Sequence, residues 1–253
     1  MKVLLCGFGG FMGREVQKTA LKPENHMEIV GGIDPAFAGE AEVPVARSFS
    51  EAQTLFPAGC ADCIIDFSHH SAVGGLLDFA EQGGFPIVVA TTGHTPEELD
   101  RIHAAAEKIP VFFSANMSVG IALLVKLAKI TAAAMPGAEI EIVEKHHDRK
   151  LDAPSGTAVM LANELMTVRP DSRIVEGRSG HGKREFGDIG IHSIRMGNIV
   201  GEHEVLFGTA SQTITLKHEA HDRGLFADGA ATAAAFLVGK PAGLYDMHSL
   251  LAD

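Results

Sequence analysis

The sequence predicts an α/β protein in which a domain built on a parallel sheet is interrupted by an inserted α+β domain. Over residues 2–116, short apolar runs alternate with helical patterns, as they do in parallel βαβ units. After residue 138, the strand-like segments instead alternate apolar and polar residues, which is typical of a sheet with one packed face. We therefore expect domains at residues 1–117 and 118–225, with residues 226–253 returning to the first domain.

Five strands and three helices are predicted in the first domain. The strands are KVLLCG (2–7), MEIVGGID (27–34), DCIIDFS (62–68), FPIVVATTG (85–93) and VFFSAN (111–116). The helices cover 12–22, 71–83 and 95–108. The third helix has the clearest start, because Thr95 can cap it, Pro96 takes its first position and Glu98 completes a capping box. The near-continuous apolar strands predict a sheet that is covered on both faces.

The inserted domain has a different pattern. A long helix is predicted at 118–135 and an alternating strand at 138–147. Three further alternating strands follow between 190 and 219, and a helix at 226–239 ends the pattern. These strands predict an open sheet with one exposed face.

Composition excludes several classes of protein. The 253 residues carry a formal net charge of −11, which argues against a nucleic-acid partner. Every long apolar stretch is broken before the roughly 20 residues that a membrane span needs. An odd set of cysteines (Cys6, Cys60 and Cys63) without a visible export signal leads us to expect a reducing, cytoplasmic setting. We interpret the Cys60–Cys63 pair as buried packing residues.

A glycine-rich loop, LLCGFGGFMGR, follows the first strand and opens the first helix. Its glycines are Gly7, Gly9, Gly10 and Gly13, and Met12 stands where the third glycine of G-x-G-x-x-G would be. Glycines permit a tight turn and a close approach of backbone N–H groups to a pyrophosphate at the helix N-terminus. Asp34 ends the second strand about 20 residues further on, where an acid hydrogen-bonds a ribose 2′-hydroxyl. The loop therefore predicts a dinucleotide site.

Two further segments end predicted strands and are expected beside the same cofactor. They are ATTG (90–93) and SANMS (114–118). Ligands of open parallel sheets bind outside the carboxyl ends of the strands, where both segments should lie.

The segment EKHHDRKLDAPSGTA (144–158) gathers proton carriers and cations immediately before a helix start. It is compatible with a metal site, a solvated loop, or an acid–base site that holds an anion. Adjacent His146 and His147 point to opposite sides of a strand, so they do not easily bind one metal ion. The helix start in DAPSGTA offers N–H groups and a hydroxyl to a carboxylate, and Lys150 adds a positive charge. We favour the acid–base site and expect no metal.

Taken together, these segments and IHSIRMGNIVGEHEVLF resemble the 4-hydroxy-tetrahydrodipicolinate reductase (dihydrodipicolinate reductase) family of diaminopimelate/lysine biosynthesis, nearly end to end. The resemblance implies a Rossmann domain, a substrate domain with an open mixed sheet, and a homotetramer built through those sheets. It also implies reduction of a cyclic dicarboxylate imine by NADH or NADPH, with loss of water.

The resemblance assigns roles to individual residues. His146 would be the proton donor and acceptor, and Lys150 a second proton donor. Substrate carboxylate would be held by His147, Gly156 and Thr157. The cofactor would be lined by Gly7, Phe8, Gly9, Gly10, Phe11, Met12, Asp34, Ala90, Thr91, Thr92, Ser114, Ala115, Asn116 and Met117.

Three positions depart from the family pattern. Ala90 stands where the family more often has glycine, and Phe11 and Pro35 stand where it often has a cation. Because Asp34 would also repel a 2′-phosphate, we expect NADH to be preferred over NADPH.

Two competing hypotheses share the glycine loop. A Rossmann amino-acid or amine dehydrogenase would have no need for HHDRKLDAPSGT. An NAD(H)-binding redox regulator should carry a basic DNA-binding segment, which this acidic chain lacks.

Overall fold

A computed structural model describes residues 1–252, which form two compact units. The first unit is Met1–Ser118 together with the chain from Arg223 onward, and the second is Val119–Asp222. The first contains a parallel sheet and the second a mixed sheet, so the predicted α/β class with two different sheets is confirmed. Within the described residues, no helix has both the length and the hydropathy to cross a bilayer.

The chain up to Ser118 alternates strands and helices. Its elements are β1 (Lys2–Cys6), α1 (Phe11–Ala20), β2 (Glu28–Ile33), β3 (Val45–Ala46), α2 (Phe49–Leu55), β4 (Cys63–Asp66), α3 (Val73–Gly83), β5 (Ile87–Val89), α4 (Pro96–Ala106) and β6 (Pro110–Phe113). All five predicted strands are present, but each is shorter than its apolar run. β5 ends at Val89 rather than at residue 93, so the polar residues of ATTG lie in a loop. The short elements β3 and α2 were not predicted.

The capping box at α4 is confirmed. The Glu98 backbone N–H donates to the Thr95 hydroxyl at 3.3 Å, and the Thr95 N–H donates to the Glu98 carboxylate at 2.8 Å. The predicted helix at 71–83 begins differently, because His70–Ala72 form a short 3₁₀ turn before α3.

The second unit begins with a long helix and then builds its sheet. Its elements are α5 (Val119–Ala134), β7 (Glu139–His146), α6 (Gly156–Val168), β8 (Arg173–Glu176), β9 (Asp188–Arg195), β10 (Gly201–Gly208) and β11 (Thr213–Ala220). Strand β8 has no clear alternation of apolar and polar residues and was not predicted.

The last elements belong to the first unit. They are α7 (Gly224–Leu237), β12 (Gly243–Tyr245) and α8 (Met247–Leu250). Helix α7 packs on α1, and its Asp228 accepts hydrogen bonds from Thr19 at 2.8 Å and from Lys22 at 2.6 Å. At Gly229 a side chain would collide with the carbonyl oxygen of Met117, so this glycine permits the close packing of α7.

The first sheet has the order β12-β6-β5-β4-β1-β2-β3, and all neighbouring strands are parallel. Four consecutive residues of β1, Val3–Cys6, are buried, so both faces of the sheet are covered, as predicted. Strands β2 and β3 lie on one side of β1, and β4, β5, β6 and β12 lie on the other. The strand order therefore reverses between β1 and β4, and ligands of such sheets bind at the carboxyl ends of the strands at this point.

The second sheet has the order β11-β10-β7-β9-β8. Strand β7 runs antiparallel to β10 and parallel to β9. Burial alternates along β7, with Ile140, Ile142, Glu144 and His146 on the buried face. The prediction of one packed face is therefore confirmed for β7 and for β10, which alternates in the same way. Two of the four buried β7 side chains are polar, and polar groups in a core need hydrogen-bond partners.

Cys63 is buried as predicted from the sequence, whereas Cys60 is only partly buried and packs against the core. Cys60 and Cys63 are free thiols, and Cys63 is fully buried. Burial raises the pKa of both thiols, which leaves little reactive thiolate.

Candidate active site

The glycine loop of the first unit is held in a tight turn. Gly7 has a φ of 81°, and a side chain there would collide with the Phe67 carbonyl oxygen. A side chain at Gly13 would collide with the carbonyl oxygen of Gly7. Gly10 caps α1, which begins at Phe11. Only glycine fits at positions 7 and 13, and without side chains there the loop can bring its backbone N–H groups close to a ligand.

Asp34, at the end of β2, is bound to this loop. Its Oδ2 atom accepts the backbone N–H of Gly9 at 2.8 Å, and its Oδ1 atom accepts that of Ala36 at 2.9 Å. Two main-chain donors therefore fix the carboxylate beside the glycine turn. This agrees with the sequence pattern of a glycine loop followed by an acid.

A cleft of about 1410 Å³ opens beside the loop. Gly7, Phe8, Gly9, Gly10 and Asp34 are among its lining residues. Its volume exceeds the roughly 300–1,000 Å³ of ordinary small-ligand pockets, which suits a ligand as long as a dinucleotide. The glycine turn, the helix start and the acid in one cleft fit a nicotinamide dinucleotide.

The remaining predicted cofactor residues lie outside the lining of this cleft. Phe11 is exposed at the start of α1, and the Arg223 guanidinium lies 5.7 Å from its ring centre. Met12 is the next residue of α1. Ala90 and Thr91 are buried just after β5, and Thr92 is exposed.

The segment after β6 forms a tight polar turn. The Ser114 hydroxyl donates to the Asn116 carbonyl at 2.8 Å, and the Asn116 side chain accepts the Ser118 N–H at 2.9 Å. Within this turn Ala115 is exposed and Met117 is buried. Because the strands are parallel, this turn and the loop after β5 lie at the same edge of the sheet as the glycine loop.

Asp66, the last residue of β4, is a buried acid that was not assigned from the sequence. Its Oδ1 atom accepts the Ser68 hydroxyl at 2.5 Å and the Ser68 N–H at 3.0 Å. Burial raises the pKa of Asp66, although these hydrogen bonds oppose the shift. In the sequence, Asp66 simply continues the apolar run of a buried strand. Its position at the point where the strand order reverses becomes visible only from the order of the sheet.

In the second unit, a network of buried polar groups surrounds His146. The Nδ1 atom of His146 lies 2.6 Å from Oε2 of Glu144, which is fully buried. The Arg195 guanidinium donates to both oxygens of the same carboxylate, at 2.8 Å and 2.6 Å. The Ser155 N–H adds a fourth bond, to Oε1 at 3.1 Å.

Strand pairing explains how these groups meet. Glu144 and His146 are two residues apart on β7, so both point to the same face. In the parallel pairing of β7 with β9, His146 is opposite Arg195. Burial disfavours the charged form of Glu144, but hydrogen bonds from His146 and Arg195 outweigh burial and hold the pKa of Glu144 well below its usual range. The carboxylate is therefore ionised.

His203, on β10, packs edge-on against His146 with ring centres 5.2 Å apart. Its Nε2 atom lies 3.0 Å from the Ser155 hydroxyl. Burial lowers the pKa of His203 to about 3, so this ring is neutral at physiological pH. His203 therefore adds a polar contact to the network without adding charge.

The other predicted residues follow His146 around one bend. The His147 N–H donates to the Ile199 carbonyl at 2.7 Å, and Lys150 forms an ion pair with Asp152 at 2.8 Å. Gly156 and Thr157 are the first two residues of α6, and the space in front of Gly156 is open. His146, His147, Lys150, Gly156 and Thr157 thus lie between the end of β7 and the start of α6.

Among residues 1–252, no group of three or more His, Cys, Asp or Glu side chains is arranged to hold a metal ion. The Nδ1 atom of His146 is already engaged by Glu144.

Comparison with known proteins gives the family. Residues 1–117 match the family described as "Dihydrodipicolinate reductase, N-terminus", and residues 120–251 match "Dihydrodipicolinate reductase, C-terminus". The chain belongs to the dihydrodipicolinate reductase family. The resemblance seen in the sequence is therefore confirmed.

Full-length relatives support this membership. A 4-hydroxy-tetrahydrodipicolinate reductase of Clostridium novyi is 41% identical over 99% of this chain and 98% of its own length. One of Caldanaerobacter subterraneus subsp. tengcongensis is 42% identical with the same coverage. Among solved structures, a dipicolinate-bound dihydrodipicolinate reductase from Paenisporosarcina sp. TG-14 superposes with a TM-score of 0.82 at 29% identity, covering 100% of this chain and 99% of that one.

In this member of the dihydrodipicolinate reductase family, three residues of the His146 network were not predicted from the sequence: Glu144, Arg195 and His203. Glu144 carried a usable signal, because it lies two residues before His146 on an alternating strand and so shares its face. Arg195 and His203 carried none, since their positions depend on how β9 and β10 pair with β7.

The buried neutral state of His203 predicts an acid-sensitive fold. Folding lowers the pKa of His203 from 6.5 to about 3. Between these two pH values the unfolded chain binds a proton that the folded chain does not, so the folded state loses stability as the pH falls below 6.5. Between pH 6.5 and about pH 4, we expect the free energy of unfolding of the wild type to fall more steeply than that of His203→Gln. The difference should approach about 1.4 kcal/mol per pH unit.

Denaturant titrations across this pH range measure the slopes. His181→Gln, which removes an exposed histidine, serves as the control. Equal slopes for the wild type and His203→Gln would show that His203 does not carry this acid sensitivity.

Proposed function

We propose that this protein reduces 4-hydroxy-tetrahydrodipicolinate to tetrahydrodipicolinate with loss of water, using NAD(P)H, in diaminopimelate/lysine biosynthesis. The observation that carries the proposal is the His146 network followed by Lys150 and the α6 start, in a chain of the dihydrodipicolinate reductase family. The dipicolinate bound to the Paenisporosarcina relative is a cyclic dicarboxylate, the class of substrate proposed here.

The first unit has the features expected of the cofactor site. Gly7 and Gly13 allow backbone N–H groups to approach a pyrophosphate, and Asp34 stands beside them as a fixed acceptor for a ribose hydroxyl. The resemblance and the parallel direction of the strands support assigning the other predicted cofactor residues to the same site. A bound nicotinamide would supply the hydride.

The second unit has the features expected of the substrate site. Hydride addition to a conjugated imine builds negative charge that a proton must neutralise. Histidine suits this role because its charge changes near neutral pH, so we assign His146 as the proton donor and acceptor. Lys150 would be a second proton donor and would also attract a carboxylate.

Substrate carboxylate would be held by His147, Gly156 and Thr157. The last two lie in the first turn of α6, where the helix dipole favours an anion. The open space in front of Gly156 leaves room for such a group.

We also propose a homotetramer assembled through the exposed faces of the second-unit sheets. On β7 and β10 these faces carry charged side chains such as Lys145, Glu202 and Glu204, which pair with one another across the strands. Light scattering at micromolar concentration should give four times the 26.7 kDa chain mass. A monomer under these conditions would contradict the assembly.

Catalytic assignments are tested by replacing His146 and Lys150. With freshly generated substrate, we expect His146→Gln and Lys150→Met each to lower kcat for NADH oxidation by about 10²-fold or more, the scale of general acid catalysis. Affinity for NADH should hardly change.

Arg149→Gln is the matched control, because it removes an exposed cation next to Lys150. It should retain near wild-type kcat. Near-normal turnover by His146→Gln would refute its role, and an inactive wild type would refute the reaction itself.

The cofactor preference is the finer part of the proposal. Asp34 is an anion fixed beside the glycine turn, and the cleft is also lined by Glu28, Glu40 and Glu42, as well as by Arg14. A 2′-phosphate would meet this negative charge, whereas a free ribose hydroxyl would donate to Asp34. These charges favour NADH.

We therefore expect kcat/KM to be tenfold or more higher with NADH than with NADPH, since a lost charge-assisted hydrogen bond costs roughly 1.5–3 kcal/mol. Both cofactors are compared at the same pH and salt concentration. Pro35→Arg, which adds a cation beside Asp34, should narrow the ratio.

Equal kcat/KM values for the two cofactors, or a higher value with NADPH, would contradict the proposed preference for NADH. A cation near the loop would then hold the phosphate, and Arg223→Gln would test the guanidinium that lies over Phe11.

A further inference from the structure

We propose that Glu144, held in place by Arg195, is a positioning residue that keeps the neutral ring of His146 protonated on Nδ1 and leaves Nε2 as the atom that exchanges the proton. This inference rests on the proposed role of His146. It adds two residues, Glu144 and Arg195, that do not touch the substrate and act through the ring.

The contacts around Glu144 determine which ring nitrogen carries the proton. An ionised carboxylate only accepts hydrogen bonds. Its Oε2 atom lies 2.6 Å from Nδ1 of His146, so Nδ1 must carry a hydrogen and donate it. In the neutral ring the other nitrogen, Nε2, then has the free lone pair.

Arg195 keeps the carboxylate ionised and in place. Its guanidinium is always protonated and bonds both carboxylate oxygens, a bidentate pair that fixes orientation as well as charge. Burial without Arg195 would favour a protonated Glu144, which could donate a hydrogen to His146 instead of accepting one. The guanidinium also donates to the Asp152 carbonyl at 2.7 Å, which ties it to the chain just before α6.

The space beside Nε2 is kept open by a glycine. A side chain at Gly201, the first residue of β10, would lie 3.1 Å from Nε2 of His146, which is closer than ordinary contact. His203 packs edge-on against the same ring. His146 is thus held on its Nδ1 side by Glu144, and Gly201 places no side chain against its Nε2 side.

Glu144→Gln is the informative variant because the surrounding donors decide how the amide must turn. The Oε1 position faces two groups that can only donate, Arg195 and the Ser155 N–H. The Oε2 position faces one such donor of Arg195 and the His146 ring, whose Nδ1 atom can also accept. The amide oxygen therefore occupies that position, and the amide nitrogen is placed against His146. The amide would donate to Nδ1, so the ring would carry its hydrogen on Nε2 and could no longer take up a proton there.

We expect Glu144→Gln to lower kcat by about 10²- to 10⁴-fold, as for a general acid or a wrongly protonated catalytic histidine. Affinity for NADH should stay within about twofold of wild type. Glu144→Asp, which loses a methylene group but keeps the charge, should restore kcat to within about tenfold of wild type. Glu164→Gln is the control, because it removes a partly exposed carboxylate paired with Lys129 in the same unit.

The protonation of His146 is measured directly from the ¹⁵N chemical shifts of the ring in histidine-labelled wild-type protein, assigned with His146→Gln. The expected result is a hydrogen on Nδ1 in the neutral ring. This readout needs no variant of Glu144, so it decides the matter even where Glu144→Gln does not fold.

Three results would overturn the inference. They are a hydrogen on Nε2 of His146 in the wild type, near wild-type kcat for Glu144→Gln, or a kcat for Glu144→Asp as low as that of Glu144→Gln. An inactive wild type whose ring carries its hydrogen on Nδ1 would instead refute the proposed reaction and leave the positioning of His146 intact.

Discussion

The ionised carboxylate of Glu144 is fully buried on the packed face of the second sheet, and the arrangement of the polar groups around His146 depends on it. A buried charge costs several kcal/mol unless it is paired and its lone pairs are bonded. Here three residues donate four hydrogen bonds to it: one from the His146 ring on β7, two from the guanidinium of Arg195 on β9, and one from the Ser155 N–H just before α6. Such a network is a poor way to gain stability, since an apolar core would serve as well. Its geometry is better explained by the orientation that it imposes on His146.

The first unit uses a carboxylate in a similar way. Asp34 accepts two backbone N–H groups and so joins the end of β2 to the glycine turn after β1. Both units thus place an anion whose position is set by fixed donors. The difference is burial: Asp34 borders a cleft, where its acceptor atoms can meet a ligand, whereas Glu144 is sealed in the core and can act only through another side chain.

Sequence patterns predicted the parts that depend on local order. The periodicity of apolar residues predicted both sheets. The Thr95–Glu98 capping box could be predicted because its two residues are only three positions apart. The glycine loop and Asp34 were also found, since a βα turn and the next strand lie within one short unit. The parts that were missed depend on pairing across long separations. Arg195 is 51 residues from Glu144 and meets it only through the register of β9, and β3 and β12 are too short to show a period.

Ser155 shows how closely the proposed substrate and proton-transfer groups are joined. Its N–H bonds Glu144, and its hydroxyl accepts the N–H of Ala158, which caps α6, while also contacting His203. The same residue therefore fixes the first turn of α6 and one oxygen of the carboxylate that orients His146. If a carboxylate of the substrate binds the N–H groups of Gly156 and Thr157, any shift of that turn moves Ser155 and, through it, Glu144. Under the proposed function, a rigid α6 start would therefore serve twice, once to hold the substrate carboxylate and once to keep the His146 ring in place.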